Sequence, residues 1–367
     1  MQPERTGACS FLIIHMRYPV ITISLIIMSV TSFAQPFSVS GKSDTLHIRG
    51  TGSTDEVMFQ MRGGLKQPLE KDSASQLFSA DIYIRGLQKA CFSYQLVEYN
   101  KGENLLTKEI PFTRLWVGSQ FKKAPEASVL KGSLVTDSIS SSFLQETKGL
   151  CFYLPPGYSP EKKYPVIFML DGQKLPDYVK AVDYLVSTRK IVPIVIAGIY
   201  SSEKVQDGLP VRYFEYVRSK GSEPQRQVFD NHVSFFIKEA LPYAAKKYHL
   251  DTTAAGRVLY GTSNAGNFCV YIGAHFPALF QHIIAYSCAG NETGIPKGDH
   301  TPSVHLGAGT YEGFPTMLYD KNRALLDSCN TTGVQATWED FCGGHDNAIW
   351  KEYFLARIES IFKTSKK

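Results

Sequence analysis

Between residue 36 and about residue 125 apolar and polar positions alternate in short runs. Examples are Val57-Met58-Phe59-Gln60-Met61, Ile82-Tyr83-Ile84 and the series Phe92, Tyr94, Leu96. Residues two apart share one face of a strand, so each run predicts a half-buried β-strand. Gly63-Gly64, Gly86 and Asn100-Lys101-Gly102 fall between the runs, where turns belong. Short strands at this spacing predict an immunoglobulin-like β-sandwich over residues 35–125. Nothing in that region has the pattern of a catalytic constellation.

From about residue 126 the period changes. Apolar runs at 166–170, 191–199, 258–260, 283–286 and 304–306 alternate with stretches of helical period. Residues 229–248 place Phe235, Phe236, Ala240, Leu241 and Ala244 on one helical face, and Pro242 within it is expected to kink or split the helix. Strands alternating with helices predict an α/β domain over 126–367. Its sheet is mainly parallel, covered by helices on both faces, with its chemistry at the C-terminal strand ends.

The extreme N-terminus departs from both patterns. Arg17 precedes the apolar run Val20 to Val30, and Ser32-Phe33-Ala34 follows it with small residues where a signal peptidase reads. This is the layout of a secretory leader, residues 1–34, cleaved after Ala34. A membrane span needs roughly 20 apolar residues, more than this run supplies, so stable membrane insertion is not expected. The mature protein is expected to be periplasmic or secreted.

Composition adds little. A hydrophobic share of 43% and a charged share of 20% are those of a globular protein. A net charge of +5 with no Lys/Arg run gives no footprint for nucleic acid. An oxidising compartment permits disulfides among Cys91, Cys151, Cys269, Cys288, Cys329 and Cys342, but several lie in apolar runs where a free thiol is a small core residue. At most one bridge is expected, with Cys329–Cys342 the favoured pair. Cys342-Gly-Gly-His345 lacks a second ligand pair, so neither a metal nor another cofactor is expected.

The chemistry lies in the second region. Arg257-Val258-Leu259-Tyr260 reads as a strand, Gly261-Thr262-Ser263-Asn264-Ala265-Gly266 follows it, and a helix runs from about 267 to 275. A serine on a sharp strand-to-helix turn presents its hydroxyl as a nucleophile. Small residues two before and two after it, here Gly261 and Ala265, let strand and helix approach. Among nine histidines, His345 follows the strand-like 334–341 on the loop Cys342-Gly343-Gly344 and precedes a helix at 348–362, which makes it the candidate general base. His300, in a polar loop, is a rival. Glu312 lies just past the 303–309 strand and is the candidate acid, with Asp320, Glu339 and Asp340 as rivals. The order Ser263, Glu312, His345 is that of α/β-hydrolase triads. Candidate oxyanion donors are the N–H groups of Asn264 and of Gln173, the latter in the turn Asp171-Gly172-Gln173, where Gly172 lets the backbone approach.

Tyr153-Leu-Pro-Pro-Gly-Tyr158, Tyr164-Pro-Val-Ile-Phe-Met-Leu-Asp-Gly-Gln173 and Arg212-Tyr-Phe-Glu-Tyr216 resemble the esterase D and enterochelin esterase-like group. So do the Ser263 turn with His275-Phe-Pro-Ala-Leu-Phe280, and Gly343-Gly-His-Asp346 with Trp350. The resemblance covers about 128–365. It implies an α/β-hydrolase fold and a serine ester hydrolase in which Ser263 and His345 match nucleophile and base. Enterochelin esterase-like members also carry an N-terminal β-sandwich. One departure is that Ala265-Gly266 stands where the family carries Gly-Gly.

The sequence therefore predicts an exported serine carboxylic-ester hydrolase acting on acyl esters of complex molecules, an oligosaccharide or siderophore ester being the expected substrate partner. Two alternatives remain: acyl transfer through the same acyl-enzyme, and a binding protein that has lost activity.

Overall fold

The computed structural model describes residues 37–103, 111–206, 208–313 and 317–364. The expected leader and its cleavage site after Ala34 lie outside the described residues. From Phe37 onward the chain forms one compact unit.

Its N-terminal part holds two four-stranded antiparallel sheets. One joins β1 (Phe37–Lys42), β2 (Thr45–Thr51), β6 (Leu77–Tyr83) and β5 (Glu70–Lys71). The other joins β4 (Lys66–Pro68), β3 (Glu56–Met61), β7 (Cys91–Tyr99) and β8 (Arg114–Val117). Alternation along the strands does the work expected of it. Leu46, Ile48, Phe78 and Ile82 from one sheet pack against Val57, Phe59, Phe92 and Tyr94 from the other, all buried.

The second part is built on an eight-stranded sheet in the order β18-β17-β16-β15-β11-β12-β10-β9. Strands β11 (Val166–Leu170), β12 (Val195–Ile199), β15 (Arg257–Thr262), β16 (His282–Tyr286), β17 (Ser303–Gly309) and β18 (Ala336–Phe341) run parallel. The hairpin of β9 (Ser133–Ser141) and β10 (Glu146–Leu154) adds an antiparallel edge, and a two-residue ribbon of β13 (Val205–Gln206) and β14 (Leu209–Pro210) stands apart.

The apolar runs are continuous because both faces are covered. In β11, Val166, Phe168 and Leu170 enter one core, while Ile167 and Met169 enter the other. The first core is closed by α3 (Glu223–Phe235), α4 (Leu241–Lys247), α5 (Asn264–His275) and α6 (Leu318–Thr332). The second is closed by α1 (Pro176–Ser187) and α7 (Asn347–Ile361), and the short α2 (Val211–Tyr216) leads into α3.

The helix expected at 229–248 is split. A π turn at Phe236–Ala240 separates α3 from α4, so the break precedes Pro242, which sits in the first turn of α4 where its missing N–H costs nothing. The Cys329–Cys342 bridge does not form. Cys329, on α6, is buried in the first core, whereas the Cys342 thiol faces the carbonyl oxygens of Arg85 and Gly86 in the sandwich. All six described cysteines are free thiols. No helix among the described residues is long and apolar enough to cross a membrane.

Candidate active site

Three adjacent strands, β11, β15 and β16, each end on a non-glycine residue in a left-handed conformation: Asp171 (φ 53°), Ser263 (φ 60°) and Ser287 (φ 50°). Each costs about 1–3 kcal/mol unless the surroundings hold it, and such residues cluster at functional sites. All three lie at the C-terminal edge of the sheet.

Ser263 stands between β15 and α5 with φ 60° and ψ −129°. Its N–H donates to the carbonyl of Tyr286 at 2.9 Å, and its carbonyl accepts the N–H groups of Asn267 at 3.1 Å and Ala289 at 3.0 Å. Room for this turn depends on Gly261, where a Cβ would lie 2.5 Å from the oxygen of Ala265. At Gly266 a Cβ would lie 3.0 Å from the Tyr286 carbonyl oxygen. The methyl of Ala265 is accommodated within the first core, fully buried.

His345 lies on the loop after β18, and its Nε2 is 2.8 Å from the Ser263 hydroxyl. Its Nδ1 is 3.2 Å from Oε2 of Glu312. A carboxylate only accepts, so Nδ1 carries the proton and Nε2 is left to accept from the serine. The Glu312 side chain is wholly buried. Its second oxygen, Oε1, accepts the Gly309 N–H at 3.0 Å and the Ser287 hydroxyl at 2.7 Å. Ser287 in turn accepts from the Trp350 indole at 2.8 Å, and the Trp350 ring meets the His345 imidazole edge to face. The sequence points to Trp350 only through the family motif, and to Ser287 not at all. A serine after an apolar strand carries no signal of its own.

The rival residues are engaged elsewhere. Glu339 pairs with Arg357, and Asp340 accepts from Tyr319 and Trp338. Asp320 lies in the first turn of α6, and His300 sits in an exposed turn.

Asn264 is the first residue of α5 and Gln173 lies in the 3-10 turn Gly172–Lys174, so both present early N–H groups that a helical turn leaves unpaired. Gly172 also has a packing role. A Cβ there would lie 2.2 Å from the Gly198 carbonyl carbon, so its bareness lets the turn pack on β12. The Gln173 side chain donates to the Ser201 hydroxyl at 2.7 Å.

Arg212, on α2, ties the two turns together. Nε and Nη2 donate to the two carboxylate oxygens of Asp171 at 2.6 and 2.5 Å, and Nη1 donates to Oδ1 of Asn264 at 3.2 Å. Burial would raise the Asp171 carboxyl, but the bonds and charge of Arg212 outweigh it and hold the group below the ordinary carboxylate range. No group of His, Cys, Asp and Glu among the described residues could hold a metal ion. Beside the loops of Glu312 and His345, a cavity of about 500 Å3 is lined by Gly64, Leu65, Lys66, Thr310, Tyr311 and Gly313.

The family model for putative esterases matches residues 140–354. An uncharacterized protein of Bacillus subtilis, YjcH, is 27% identical over 159 residues, which is 42% of this chain and 62% of that one. The chain thus spans less than two thirds of this relative. In fold, the ferric enterobactin esterase of Salmonella typhimurium is similar with a TM-score of 0.66 at 12% identity, over 89% of this chain and 96% of that one. The ferulic acid esterase of Anaeromyces mucronatus gives 0.51 at 16% identity, over 65% and 94%. The first likeness takes in the N-terminal β region as well as the α/β-hydrolase sheet.

Proposed function

The chain belongs to the putative esterase family, and from that premise we propose that it is an exported serine carboxylic-ester hydrolase using Ser263, His345 and Glu312. The observation that carries this reading is the unbroken line of hydrogen bonds from the Ser263 hydroxyl through both imidazole nitrogens to a buried carboxylate. Ser263 Oγ attacks the ester carbonyl carbon while His345 Nε2 takes its proton. The carbonyl oxygen, now an anion, is held by the N–H groups of Gln173 and Asn264. His345 returns the proton to the departing alcohol as the C–O bond breaks. Water then attacks the acyl-enzyme by the same route and releases the acid. Glu312 keeps the imidazole oriented and balances its transient charge, and no cofactor takes part in these steps.

The substrates proposed are acyl esters of complex extracellular molecules, either acylated polysaccharides or siderophore esters. The similarly folded enzymes act on ferulic acid esters and on ferric enterobactin, and the cavity beside Tyr311 has room for a bulky group. The test is a panel of acetylated and feruloylated oligosaccharides, a siderophore trilactone and p-nitrophenyl acetate. A complex ester should be turned over faster than the small one, because binding energy from remote parts appears in the rate. If p-nitrophenyl acetate beats every complex ester, the proposed substrate class fails. Absence of labelling by a fluorophosphonate would remove the serine mechanism and favour a binding protein, and product formed only with an acceptor alcohol would favour acyl transfer. Export is tested by N-terminal sequencing of the natively expressed protein, which should begin at Gln35.

A further inference from the structure

We propose that the sandwich turn at residues 62–65 is a positioning element for the catalytic base, so that the N-terminal sandwich is part of the catalytic apparatus. This rests on the reading of His345 as that base. The turn joins β3 to β4 and is tied down within the sandwich. Met61 N–H donates to Leu65 O at 2.8 Å, Gly64 N–H to Met61 O at 3.1 Å, and Arg62 N–H to Ser93 O at 2.9 Å on β7. Met61 itself is buried in the sandwich core.

Against this fixed turn the His345 loop lies backbone to backbone. The His345 N–H donates to the carbonyl of Gly63 at 3.3 Å. Gly63 has φ +55°, and a Cβ on it would fall 2.3 Å from the Cβ of His345 and 3.1 Å from its backbone nitrogen. From the other side, a Cβ on Gly344 would fall 2.3 Å from the carbonyl oxygen of Arg62. Two glycine-bearing segments therefore meet where neither could carry a side chain. The flanks repeat the pattern. Asp346 accepts the Ser93 N–H from β7 while capping α7 through Ala348, and Cys342 meets the carbonyls of Arg85 and Gly86.

The physical need for such support is plain. Gly343-Gly344 leaves the loop with more backbone freedom than any other residue pair would, and residues 342–346 lie outside any helix or strand. The Tyr311 N–H, which donates to the Gly343 carbonyl at 3.1 Å, restrains the start of the loop, and the contact surface of the sandwich restrains Gly344 and His345. A misplacement of the imidazole by about 1 Å is enough to cost roughly a hundredfold in rate.

The test uses the full-length chain and three glycine variants. Gly63→Ala drives a methyl into His345. Gly64→Ala crowds the residue before His345 more mildly, its Cβ lying 3.1 Å from Met61 Sδ, 3.2 Å from the Tyr311 carbonyl oxygen and 3.3 Å from Gly344 Cα. Gly102→Ala is the control: it also sits in the sandwich at positive φ, +94°, but its Cβ meets nothing within 4 Å. With p-nitrophenyl acetate, kcat should fall about 10- to 100-fold for Gly63→Ala, less for Gly64→Ala and least for Gly102→Ala, with KM little changed. The rate of fluorophosphonate labelling should fall in the same order. The downfield proton resonance of the His345 Nδ1–H should shift or vanish in Gly63→Ala and persist in Gly102→Ala. Equal kcat, labelling and resonance in these two variants would overturn the proposal. If Gly63→Ala does not fold, the same comparison is made with Gly64→Ala, and equality there overturns it. A wild-type protein that neither hydrolyses esters nor takes the label defeats the proposed function instead, and the resonance still reports whether the sandwich governs the histidine.

Discussion

Arg212 grips Asp171 through two parallel bonds and reaches Asn264 with its remaining terminal nitrogen. Asp171 opens the turn that carries Gln173, and Asn264 follows Ser263, so one guanidinium spaces both N–H groups proposed to receive the oxyanion. Its plane lies over the Tyr216 ring, 5.1 Å from the centroid, while the Tyr216 hydroxyl accepts the Asp171 N–H at 3.2 Å. A lysine keeps the charge but not the fork. Arg212→Lys should therefore lower kcat by about tenfold or more with KM nearly unchanged, short of the hundredfold or larger loss typical of deleting a donor outright. Steady-state kinetics decides it, together with the affinity for a boronate that mimics the tetrahedral state, which should weaken in step with kcat. A variant that loses only KM would mark Arg212 as a substrate contact.

Glu312 tests the acid position. Glu312→Gln keeps the shape and a hydrogen bond, but the amide can present a donor to Nδ1 and so favour the wrong tautomer. The expected loss in kcat is about a thousandfold or more, with the same labelled peptide recovered after long exposure to a fluorophosphonate. Near-normal kcat in this variant would shift the role to another carboxylate.

Backbone strain gives the nucleophile position a signature separate from activity. Ser263 is held at φ 60°, a conformation that costs any residue with a Cβ. Ser263→Ala and Ser263→Gly should both lose at least about a thousandfold in kcat. The glycine variant should nevertheless be the more stable of the two by about 0.5–1 kcal/mol, since only glycine adopts positive φ freely. Thermal unfolding of the pair measures the difference. Equal stability would mean that the turn relaxes in the absence of the hydroxyl.

These variants also show what the sequence could and could not convey. The run 166–170 coincides with β11 because a continuous apolar run of this length is too short for a helix and suits a strand buried on both faces. Ser263, Glu312 and His345 could be picked out because each sits just past a strand end with small residues or glycine beside it. The β9–β10 hairpin was not resolved from the pattern, its outer strand being half exposed and mostly polar. Arg212 and Asp171 stood inside recognisable motifs, but their bidentate pairing joins residues 41 apart in sequence and leaves no periodic trace. Gly63-Gly64 read as a turn and nothing more. Its contact with His345 spans most of the chain, and no local rule distinguishes a glycine that only turns from one that another loop touches. The Cys329–Cys342 expectation failed for a similar reason: the two are near in sequence, but Cys329 lies in the first core and Cys342 packs against the sandwich.

His232 on α3 is wholly buried against Tyr216, Phe235 and Phe268, and neither ring nitrogen has a hydrogen-bond partner among the described residues. Burial pushes its pKa down from 6.5 to about 4, more than the nearby Glu215 carboxylate, 3.9 Å away, can offset. Above pH 6.5 the ring is neutral in both folded and unfolded chains and titration contributes nothing. As the pH falls below 6.5 the unfolded chain binds a proton that the folded one refuses, so stability declines until about pH 4 and then levels off. The full decline amounts to roughly 3 kcal/mol. His305 on β17, pushed down to about 3 by burial and by the charge of Arg357, works in the same direction. Phenylalanine fits the aromatic surroundings of residue 232 and cannot be protonated. His232→Phe should therefore unfold at a higher urea concentration than the wild type at pH 5, while the two differ less at pH 7.5. Measuring both midpoints at both pH values separates the titration from simple repacking. If the variant loses as much stability between pH 7.5 and 5 as the wild type does, His232 is not the group that makes the fold sensitive to acid.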